Sequence, residues 1–581
     1  MYASDLNHLV LISLLKEHNI RQIIASPGVN NMRLVYSLQQ DPFFTIYSCV
    51  DERSAAYIAC GLAAESQSPV MLTCTGATAS RNYMPGLTEA FYRKLPVLAV
   101  TSTRDIGRIG QYAPQLLDRR VLPNDVVVKS VHIPIFHTKD DEENYTVLMN
   151  DALLELRHCG GGPVHINLTS SYSRDFNVGQ LPQVRAIHRY IFGDTLPALN
   201  FKKVGLYIRS HAAWSKRLYN AVNEFCEKYN AVVLADQTSN YHGPYGVYST
   251  LITSQQEYRP PCCDLDLMIY IGGVDGSDYD MISPARVWRV CVDGAVRSPF
   301  GKLSAVFEMR EEDFFEYYNR LKDEKGEAVF SKEWKREYDK ILKTLPEFPL
   351  SNIFVAKELL QMIPSDSAVH YGIQNSLRSW NFFQPKNKIC GYANTGGFGI
   401  DGSLSSLVGA ALFDESRLYF GVIGDLSFFY DINVLGNRHV GKNIRLILIN
   451  NGLGQQFKNP GSAGGELGAE TDQYIAAAGH YGCKSESLVR HFVEDLGFKY
   501  LSASSIETFE EQIPAFISVG SDSSIIFEVF TDTGDESEAM FKIKHAVTSP
   551  LYKSSSAAKG IIKKALGEKG TDTLRKVLKK P

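Results

Sequence analysis

Two segments in the last third of the chain decide its fold: IGDLSFFYDINVL at residues 423–435 and NIRLILINNGLGQQF at residues 443–457. Each includes the end of an apolar run, typical of a buried strand, followed by a polar turn. Asp425 closes the first run, and Asn450 and Asn451 close the second. Since ligands bind outside the carboxyl ends of strands in open parallel sheets, we expect these side chains to share one edge of a sheet.

The residues at these two strand ends have the chemistry of a site for a hard cation. One carboxylate, one amide oxygen and one backbone carbonyl on adjacent loops suit Mg²⁺, whose coordination is usually completed by water and phosphate oxygens. Gly424 stands directly before Asp425 and permits close approach of the backbone. Ordinary strand-to-turn chemistry explains the same residues, so the two segments alone leave both interpretations open.

The rest of the chain repeats this alternation of strands and helices. Short apolar runs alternate with helical patterns in three successive blocks, which predicts an α/β fold with three doubly wound parallel sheets. We predict domains at residues 1–180, 186–345 and 346–545, followed by a basic amphipathic tail at 546–581. The polar, proline-containing stretch at 179–200 is typical of a linker.

A further strand end stands out near the N-terminus. Glu52 follows the apolar run FTIYSCV at residues 44–50 and precedes a helical pattern. A carboxylate there is also a common helix cap, because the helix dipole favours its charge. From this segment alone, capping and chemistry are both open for Glu52.

Composition and charge limit the classes of function. The 581 residues carry a net charge of −4, which divides into +7 for the tail and −11 for the body. An acidic body argues against nucleic-acid binding, which needs a basic surface. The basic tail suits contact with an anionic membrane or with a partner's groove, and a solvated appendage or a subunit-packing helix are the alternatives. No apolar run is long enough to span a membrane, and no signal peptide is recognisable. The ten cysteines are scattered, which is typical of reduced core thiols. We therefore expect a cytoplasmic protein.

The strand end at Glu52, followed later in the chain by the strand ends at Asp425 and Asn450-Asn451, resembles the pattern of the thiamine diphosphate enzymes. These enzymes have a pyrimidine-binding domain with a strand-end Glu and a diphosphate-binding domain with a Gly-Asp…Asn-Asn pattern. Within that superfamily the chain is most similar to the 2-succinyl-5-enolpyruvyl-6-hydroxy-3-cyclohexene-1-carboxylate synthases, the menaquinone-pathway carboligases. The matching segments are SPG at 26–28, DER at 51–53, NSLR at 375–378, GIDGSLSS at 399–406 and GDLSFFYDIN from residue 424.

The resemblance implies thiamine diphosphate as cofactor and assigns the residues around it. Glu52 activates the cofactor, Gln115 faces the reactive centre, and Ile400 forces the cofactor into its bent shape. A simple loop amide and plain core packing are the alternatives for Gln115 and Ile400. The other cofactor-binding positions that the match implies are Ser26, Pro27, Gly28, Gly76, Gly399, Gly424, Asp425, Leu426, Ser427 and Asn451.

The same match implies a Mg²⁺ or Mn²⁺ ion that holds the diphosphate. Its ligands are Asp425, Asn451 and the carbonyl of Leu453. The spacing from Asp425 is one residue shorter than in the family, which leaves Asn450 and Gly452 as alternatives for the last two ligands.

The substrate positions match the family only in part. Arg104, Asn375, Ser376 and Arg378 correspond to substrate-facing residues, and Phe457 is a candidate for the cavity wall. Where the family has Ser-Arg directly after SPG, this chain has Val29-Asn30-Asn31. Thr395 replaces a second family arginine. A third family arginine aligns with Trp380, and Arg378 lies two positions before that site. Because arginine is the natural clamp for a carboxylate, these losses predict an acceptor other than isochorismate.

We therefore predict an enzyme that decarboxylates a 2-oxo acid and transfers the resulting acyl anion to a second small molecule. The resemblance implies a homodimer or homotetramer in which the first domain of one copy and the third domain of another share an active site. The alternatives are a simple 2-oxo acid decarboxylase, an acetolactate-synthase-like enzyme, and a cofactor-binding scaffold without turnover. The middle block has no GxGxxG pattern, which disfavours a flavin-coupled oxidase.

Overall fold

The computed structural model describes residues 1–119, 121–276 and 281–547, so the predicted tail lies outside the described residues from position 548 onward. The strands are β1 (Gln22–Ala25), β2 (Thr45–Ser48), β3 (Val70–Thr75), β4 (Val97–Thr103), β5 (Lys129–Ile133), β6 (Val164–Thr169), β7 (His188–Ile191), β8 (Val204–Arg209), β9 (Ala231–Ala235), β10 (Gly246–Tyr248), β11 (Asp264–Leu265), β12 (Leu267–Gly272), β13 (Ser283–Pro284), β14 (Val287–Cys291), β15 (Leu303–Glu308), β16 (Ala368–Tyr371), β17 (Cys390–Ala393), β18 (Tyr419–Gly424), β19 (Ile444–Asn450), β20 (Lys499–Ala503) and β21 (Ile525–Phe530).

The α-helices lie between these strands, as the alternating pattern predicts. They are α1 (Leu6–Glu17), α2 (Met32–Gln39), α3 (Glu52–Ser66), α4 (Thr78–Asn82), α5 (Met84–Tyr92), α6 (Lys139–Glu155), α7 (Lys216–Tyr229), α8 (Thr250–Thr253), α9 (Glu311–Leu321), α10 (Val329–Thr344), α11 (Asn352–Leu359), α12 (Asn375–Trp380), α13 (Ser403–Ala411), α14 (Asp425–Asp431), α15 (Ala463–Leu467), α16 (Leu488–Asp495), α17 (Ile506–Phe516) and α18 (Thr533–Lys544). Among the described residues, no helix is long and apolar enough to cross a membrane.

The chain divides into two compact units. The first contains residues 1–196 and 287–309, and the second contains residues 197–286 and the described chain from residue 310 onward. The three predicted domain boundaries are not tested by this division and stay a prediction. The stretch predicted as a linker contains β7, which pairs in parallel with β15. The sequence pattern does not predict this strand, because the alternation of polar and apolar residues in His188–Ile191 is too short.

The first unit contains a six-stranded sheet in the order β2-β1-β3-β4-β6-β5, with every pair parallel. Successive side chains of its strands pack on opposite faces: Ile23 and Met71 belong to one apolar cluster, and Ile24 and Leu72 belong to another. Helices α1 and α6 contribute to the first cluster, and α3 and α5 contribute to the second. A parallel sheet covered by helices on both faces is the doubly wound arrangement that the pattern predicts.

The second unit contains a six-stranded sheet in the order β17-β16-β18-β19-β21-β20, again with parallel pairs. Its central strands β18 and β19 are the apolar runs that precede Asp425 and Asn451, and nearly all their residues are buried. The same unit has the parallel set β10-β9-β8-β12. The predicted α/β class with parallel sheets is therefore confirmed.

Candidate functional site

The predicted residues of the first unit lie at one edge of its sheet. Ser26 to Gly28 follow β1, Glu52 follows β2, Gly76 follows β3 and Arg104 follows β4, and these four strands are neighbours in the order β2-β1-β3-β4. After β1, the chain forms β2 on one side of β1 and then β3 on the other side. Such a reversal of strand order opens a crevice at the carboxyl ends of the strands, where ligands bind in open α/β sheets.

Glu52 begins α3 but does not cap it. The neighbouring Asp51 is the N-cap, and its carboxylate accepts a hydrogen bond of 3.0 Å from the Ser54 backbone N–H. Glu52 itself is half-buried in the first turn of the helix. Because Asp51 already satisfies the helix end, capping does not explain the carboxylate at position 52.

Glu52 lies near a buried group that the sequence did not indicate. Burial raises the pKa of the Cys74 thiol to about 12, and the charge of Glu52 adds to this effect. Burial likewise raises the pKa of the Tyr83 hydroxyl, which interacts with the side chains of Cys74 and Ser26. Both groups stay neutral at physiological pH, so Glu52 lies beside an uncharged, largely dry wall.

The glycines after β1 and β3 are required by close packing. A Cβ atom added at Gly28 would lie 2.6 Å from Thr75 Cβ, and one added at Gly76 would lie 2.4 Å from Arg119 Nη1. Arg119 is buried and donates a hydrogen bond of 2.8 Å to Asn167. These contacts leave no room for side chains where the backbone must approach a ligand.

The substrate position Arg104 is linked through Tyr172, which follows β6, to residues that follow β1. Its guanidinium group lies 4.7 Å from the ring centre of Tyr172, whose hydroxyl donates a hydrogen bond of 3.1 Å to Asn30. Asn31 donates a hydrogen bond of 2.9 Å to the carbonyl of Ser26, so this residue stabilises the SPG turn. Gln115 is exposed, in the left-handed conformation with φ of 61°.

The predicted residues of the second unit also follow adjacent strands. Asn375 follows β16, Gly399 and Ile400 follow β17, Asp425 follows β18 and Asn451 follows β19, in the sheet order β17-β16-β18-β19. The strand order reverses between β16 and β18. This edge is therefore a second crevice of the kind described for the first unit.

Asp425 and the turn after β19 are in direct contact. The Asp425 carboxylate accepts hydrogen bonds from the backbone N–H groups of Leu426 and Gly452. Burial raises the pKa of Asp425 to about 7, because no side-chain cation among the described residues compensates its charge and the nearby Glu528 repels it. A buried carboxylate of this kind is a natural partner for a divalent cation.

The contacts of the two asparagines after β19 are different. Asn450 is buried and donates a hydrogen bond of 2.7 Å to Glu528, which also accepts a hydrogen bond of 2.7 Å from Tyr500. Asn451 is half-buried, and its side-chain oxygen accepts only a long hydrogen bond of 3.3 Å from the Leu453 N–H. The amide oxygen of Asn451 is therefore the one with room for a ligand.

The loop after β17 is held against the start of α14. The Ser427 hydroxyl donates a hydrogen bond of 2.6 Å to the carbonyl of Ile400. Gly399 has no space for a Cβ, which would lie 2.3 Å from the Asp401 carboxylate, whereas Gly424 has nothing within 4 Å of that position. Ile400 is half-buried, which disfavours the alternative that it is an ordinary core residue.

Two of the predicted substrate residues are tied to the segment after Asn451. Arg378 donates a hydrogen bond of 2.8 Å to Gln456, and Asn375 accepts one of 3.2 Å from Asn459. Arg378 lines a cavity of about 520 Å³ together with Gln456, Asn459, Lys544 and His545. These contacts group Arg378 and Asn375 with the segment after Asn451. Of the other two predicted substrate residues, Ser376 is buried and Phe457 is about two-fifths exposed.

Two of the positions at which this chain departs from the family arginines, Trp380 and Thr395, are buried and neutral. Trp380 is fully buried and donates a hydrogen bond of 3.0 Å to Asn352. Thr395 is also buried, and its hydroxyl donates a hydrogen bond of 3.1 Å to Ser210. Neither residue offers a cation to a substrate.

Comparison with known proteins shows the family to which the chain belongs. The model of the thiamine pyrophosphate enzyme N-terminal TPP binding domain matches residues 8–121, which include Ser26, Glu52 and Arg104. The 2-succinyl-5-enolpyruvyl-6-hydroxy-3-cyclohexene-1-carboxylate synthase of Bacteroides fragilis is 31% identical over 573 residues, covering 94% of this chain and 99% of that protein. The synthase of the same name from Phocaeicola vulgatus is 32% identical over 576 residues with the same coverage. The chain belongs to this synthase family.

The synthase family also includes more distant relatives of the chain. The synthase of Desulfotalea psychrophila is 26% identical over 555 residues, covering 91% of this chain and 98% of that protein. Among solved structures, the Rhodococcus jostii RHA1 thiamine diphosphate-dependent 4-hydroxybenzoylformate decarboxylase is 16% identical, with coverage of 90% and 99% and a TM-score of 0.40, a likeness too weak to add to the argument. Membership in the synthase family confirms the prediction of a thiamine diphosphate-dependent enzyme of the carboligase type.

Proposed function

We propose that the chain decarboxylates a 2-oxo acid with thiamine diphosphate and Mg²⁺ or Mn²⁺, and transfers the acyl group to an acceptor that differs from the one used by its named relatives. The observation that carries the proposal is the contact between Asp425 and the turn at Gly452. This contact holds the turn that carries Asn451 and Leu453 against a buried carboxylate, which supports the proposal. Free cysteines throughout the chain accord with a cytoplasmic location.

The residues of this crevice fit a divalent cation and a diphosphate. Asp425 is buried without a cationic partner among the described residues, and the open space at Gly424 permits a phosphate to approach the start of α14. A helix N-terminus favours such an anion because its N–H groups are free and its dipole is positive there. We assign the metal to Asp425, Asn451 and the Leu453 carbonyl, and leave Asn450 to its hydrogen bond with Glu528.

The protein contributes positioning and electrostatics to the reaction. Thiamine diphosphate, when bound, supplies the carbon nucleophile that captures a 2-oxo acid and accepts electrons as CO₂ leaves. Glu52 would share a proton with the pyrimidine ring of the bound cofactor, and the neutral wall of Cys74 and Tyr83 would strengthen that hydrogen bond by excluding water. Arg104 remains as a clamp for the carboxylate of the 2-oxo acid.

The proposal includes a homodimer or homotetramer with active sites shared between copies. Glu52 and Asp425 belong to different compact units. Around Glu52 the surface is unusually apolar: Val50 is 77% exposed, and Tyr57 and Ile58 are each 48% exposed. Apolar side chains in such a group are typical of a surface that another protein covers.

Replacing Glu52 with Gln tests the proposed chemistry. We expect E52Q to bind thiamine diphosphate but to release CO₂ from a panel of 2-oxo acids at least about 100-fold more slowly, because proton sharing of this kind contributes roughly 10²–10⁴-fold. Glu65, exposed at the other end of α3, provides the matched control E65Q. An undiminished rate in E52Q with the cofactor bound would refute the mechanism.

The acceptor is tested by product analysis. The wild-type enzyme is given mono- and dicarboxylic 2-oxo acids with isochorismate, aldehydes or enones, and products are identified by mass spectrometry. We expect ligation products with a less acidic acceptor, since Thr395 and Trp380 provide no cation. Efficient ligation to isochorismate contradicts the altered specificity, and CO₂ release with only a protonated product indicates a simple decarboxylase.

A further inference from the structure

A second polar cluster lies in the first unit, away from the predicted active-site residues. His158, Cys159 and Glu308 offer one imidazole nitrogen, one thiol sulfur and one carboxylate oxygen, and these three atoms lie within 4.8 Å of one another. They line a cavity of about 670 Å³ that also contacts His188 and Arg189. Cys159 is exposed, whereas the sequence pattern predicted a core thiol.

We propose that His158, Cys159 and Glu308 bind a zinc ion, with water from the cavity as the fourth ligand. The distance from His158 Nε2 to Glu308 Oε2 is 3.2 Å. Two ligands at ordinary Zn–N and Zn–O bond lengths, set at a tetrahedral angle, lie about 3.4 Å apart. The observed distance therefore needs little change to accommodate the ion.

The orientation of His158 matches that of a metal ligand. Its Nδ1 lies 2.9 Å from a Glu155 carboxylate oxygen. The Glu155 carboxylate also accepts a hydrogen bond of 2.9 Å from Arg189. With Arg189 as a second donor, Glu155 acts as the acceptor that fixes the proton on His158 Nδ1 and leaves the Nε2 lone pair for a metal, which is the usual support of a histidine ligand.

The facing atoms of the cluster are not satisfied by each other. His158 Nε2 and Glu308 Oε2 are buried and, despite their short separation, make no hydrogen bond of acceptable geometry within the described residues. Arg189 does not resolve this, because its guanidinium group pairs with Glu155 at 2.9 Å and lies 3.9 Å from Glu308 Oε2. A divalent cation between the two atoms would satisfy both.

The local backbone fixes the position of Cys159. Cys159 has φ of 50°, in the left-handed region that is uncommon for a residue with a side chain, and Gly160 and Gly161 continue with φ of 91° and 87°. Lys94 donates a hydrogen bond of 3.1 Å to the carbonyl of Cys159. Local strain of this kind persists where the surrounding structure determines the position of a side chain.

The combination of ligands selects the class of metal. Thiolate and imidazole together favour zinc over Mg²⁺ and Ca²⁺, which prefer oxygen ligands. On binding, the Cys159 thiol loses its proton to solvent and a sulfur–metal bond forms, with no change of oxidation state. The ion would tie the loop at 158–161 to the end of β15.

Cobalt substitution tests this site in the full enzyme saturated with thiamine diphosphate and Mg²⁺. We expect one equivalent of Co²⁺ to give the intense near-ultraviolet band of a sulfur–cobalt bond and Zn²⁺ to displace it. C159S should lose this band, whereas C483S should retain it; Cys483 is the other exposed cysteine of the described residues and lies beside Gly452. E155Q should bind Co²⁺ about 10–100-fold more weakly, the usual effect of removing the partner of a histidine ligand.

A second measurement needs no variant. One equivalent of Zn²⁺ should protect Cys159 from alkylation by iodoacetamide, as followed by peptide mass spectrometry, while Cys483 remains reactive. A cobalt–sulfur band that persists in C159S overturns the proposal. So does alkylation of Cys159 that is indifferent to Zn²⁺, which would mean that the cluster is an ion-pair network only.

Discussion

Glu536 provides the sharpest test of the electrostatics of the second unit. This residue is buried in the first turn of α18, and its carboxylate accepts hydrogen bonds of 2.9 Å from the Asn352 backbone N–H and from the Thr531 hydroxyl. Burial raises its pKa from 4.5 to about 7. The folded protein therefore binds one more proton than the unfolded chain between these pH values, so the free energy of unfolding falls as pH rises through this window.

The magnitude follows from the shift. A change of about 2.5 pKa units corresponds to about 3 kcal/mol. The ionisation of Glu536 lowers the free energy of unfolding by this amount as pH rises from about 4.5 to about 7. E536Q keeps the shape and the acceptor oxygen but cannot ionise. We expect E536Q to have about the stability of wild type at pH 4.5, within about 1 kcal/mol, and to be more stable by about 2–3 kcal/mol at pH 7.5.

The assay is urea denaturation of both proteins at several pH values, followed by far-ultraviolet circular dichroism and by tryptophan fluorescence. Only the difference between variant and wild type is interpreted, because other titrating groups contribute equally to both. E538Q is the matched control, since Glu538 is exposed on the same helix and pairs with Lys542 at 2.7 Å. A difference between E536Q and wild type that does not change with pH would refute the reasoning.

Two further substitution pairs test the site. N450A should lower the free energy of unfolding by about 1–3 kcal/mol, because it removes one of the two donors to the buried Glu528 carboxylate and leaves Tyr500 as the other. N451A should retain wild-type stability and weaken Mg²⁺-dependent cofactor binding, as measured by calorimetry; the opposite pattern would assign the metal to Asn450. G28A should lower the free energy of unfolding by about 1–3 kcal/mol in the same denaturation assay, because the added methyl group overpacks against β3. G409A, on α13 with open space at its Cβ, should be neutral or stabilising by up to about 1 kcal/mol. Equal effects of the two substitutions would contradict the close approach at Gly28.

Much of the candidate site could be predicted because its residues follow strands. Asp425 and Glu52 each end an apolar run, and parallel strands place such ends at one edge of a sheet. The choice between Asn450 and Asn451 could not be made this way, because it depends on Glu528, which lies 78 residues further along the chain. Likewise, the capping hypothesis for Glu52 was excluded only when Asp51 was found in that role.

Long-range packing also explains what the sequence missed. The strand β7 lies in a stretch too polar to predict, and it is fixed by pairing with β15. The prediction of core thiols was wrong for Cys159 and Cys483, which are exposed in short 3-10 helices and adjoin His158 and Lys484 in sequence. Neither error arises from local propensity, since burial depends on which elements cover a residue.

The sequence by itself determined the parallel α/β fold and the two groups of strand-end residues, because hydrophobic periodicity and the position of polar turns are local properties of the chain. Only the tertiary structure decided which of those side chains are free for a ligand, because their hydrogen-bond partners are distant in sequence. It also decided that His158, Cys159 and Glu308 meet, since β15 brings Glu308 to a loop from another part of the first unit.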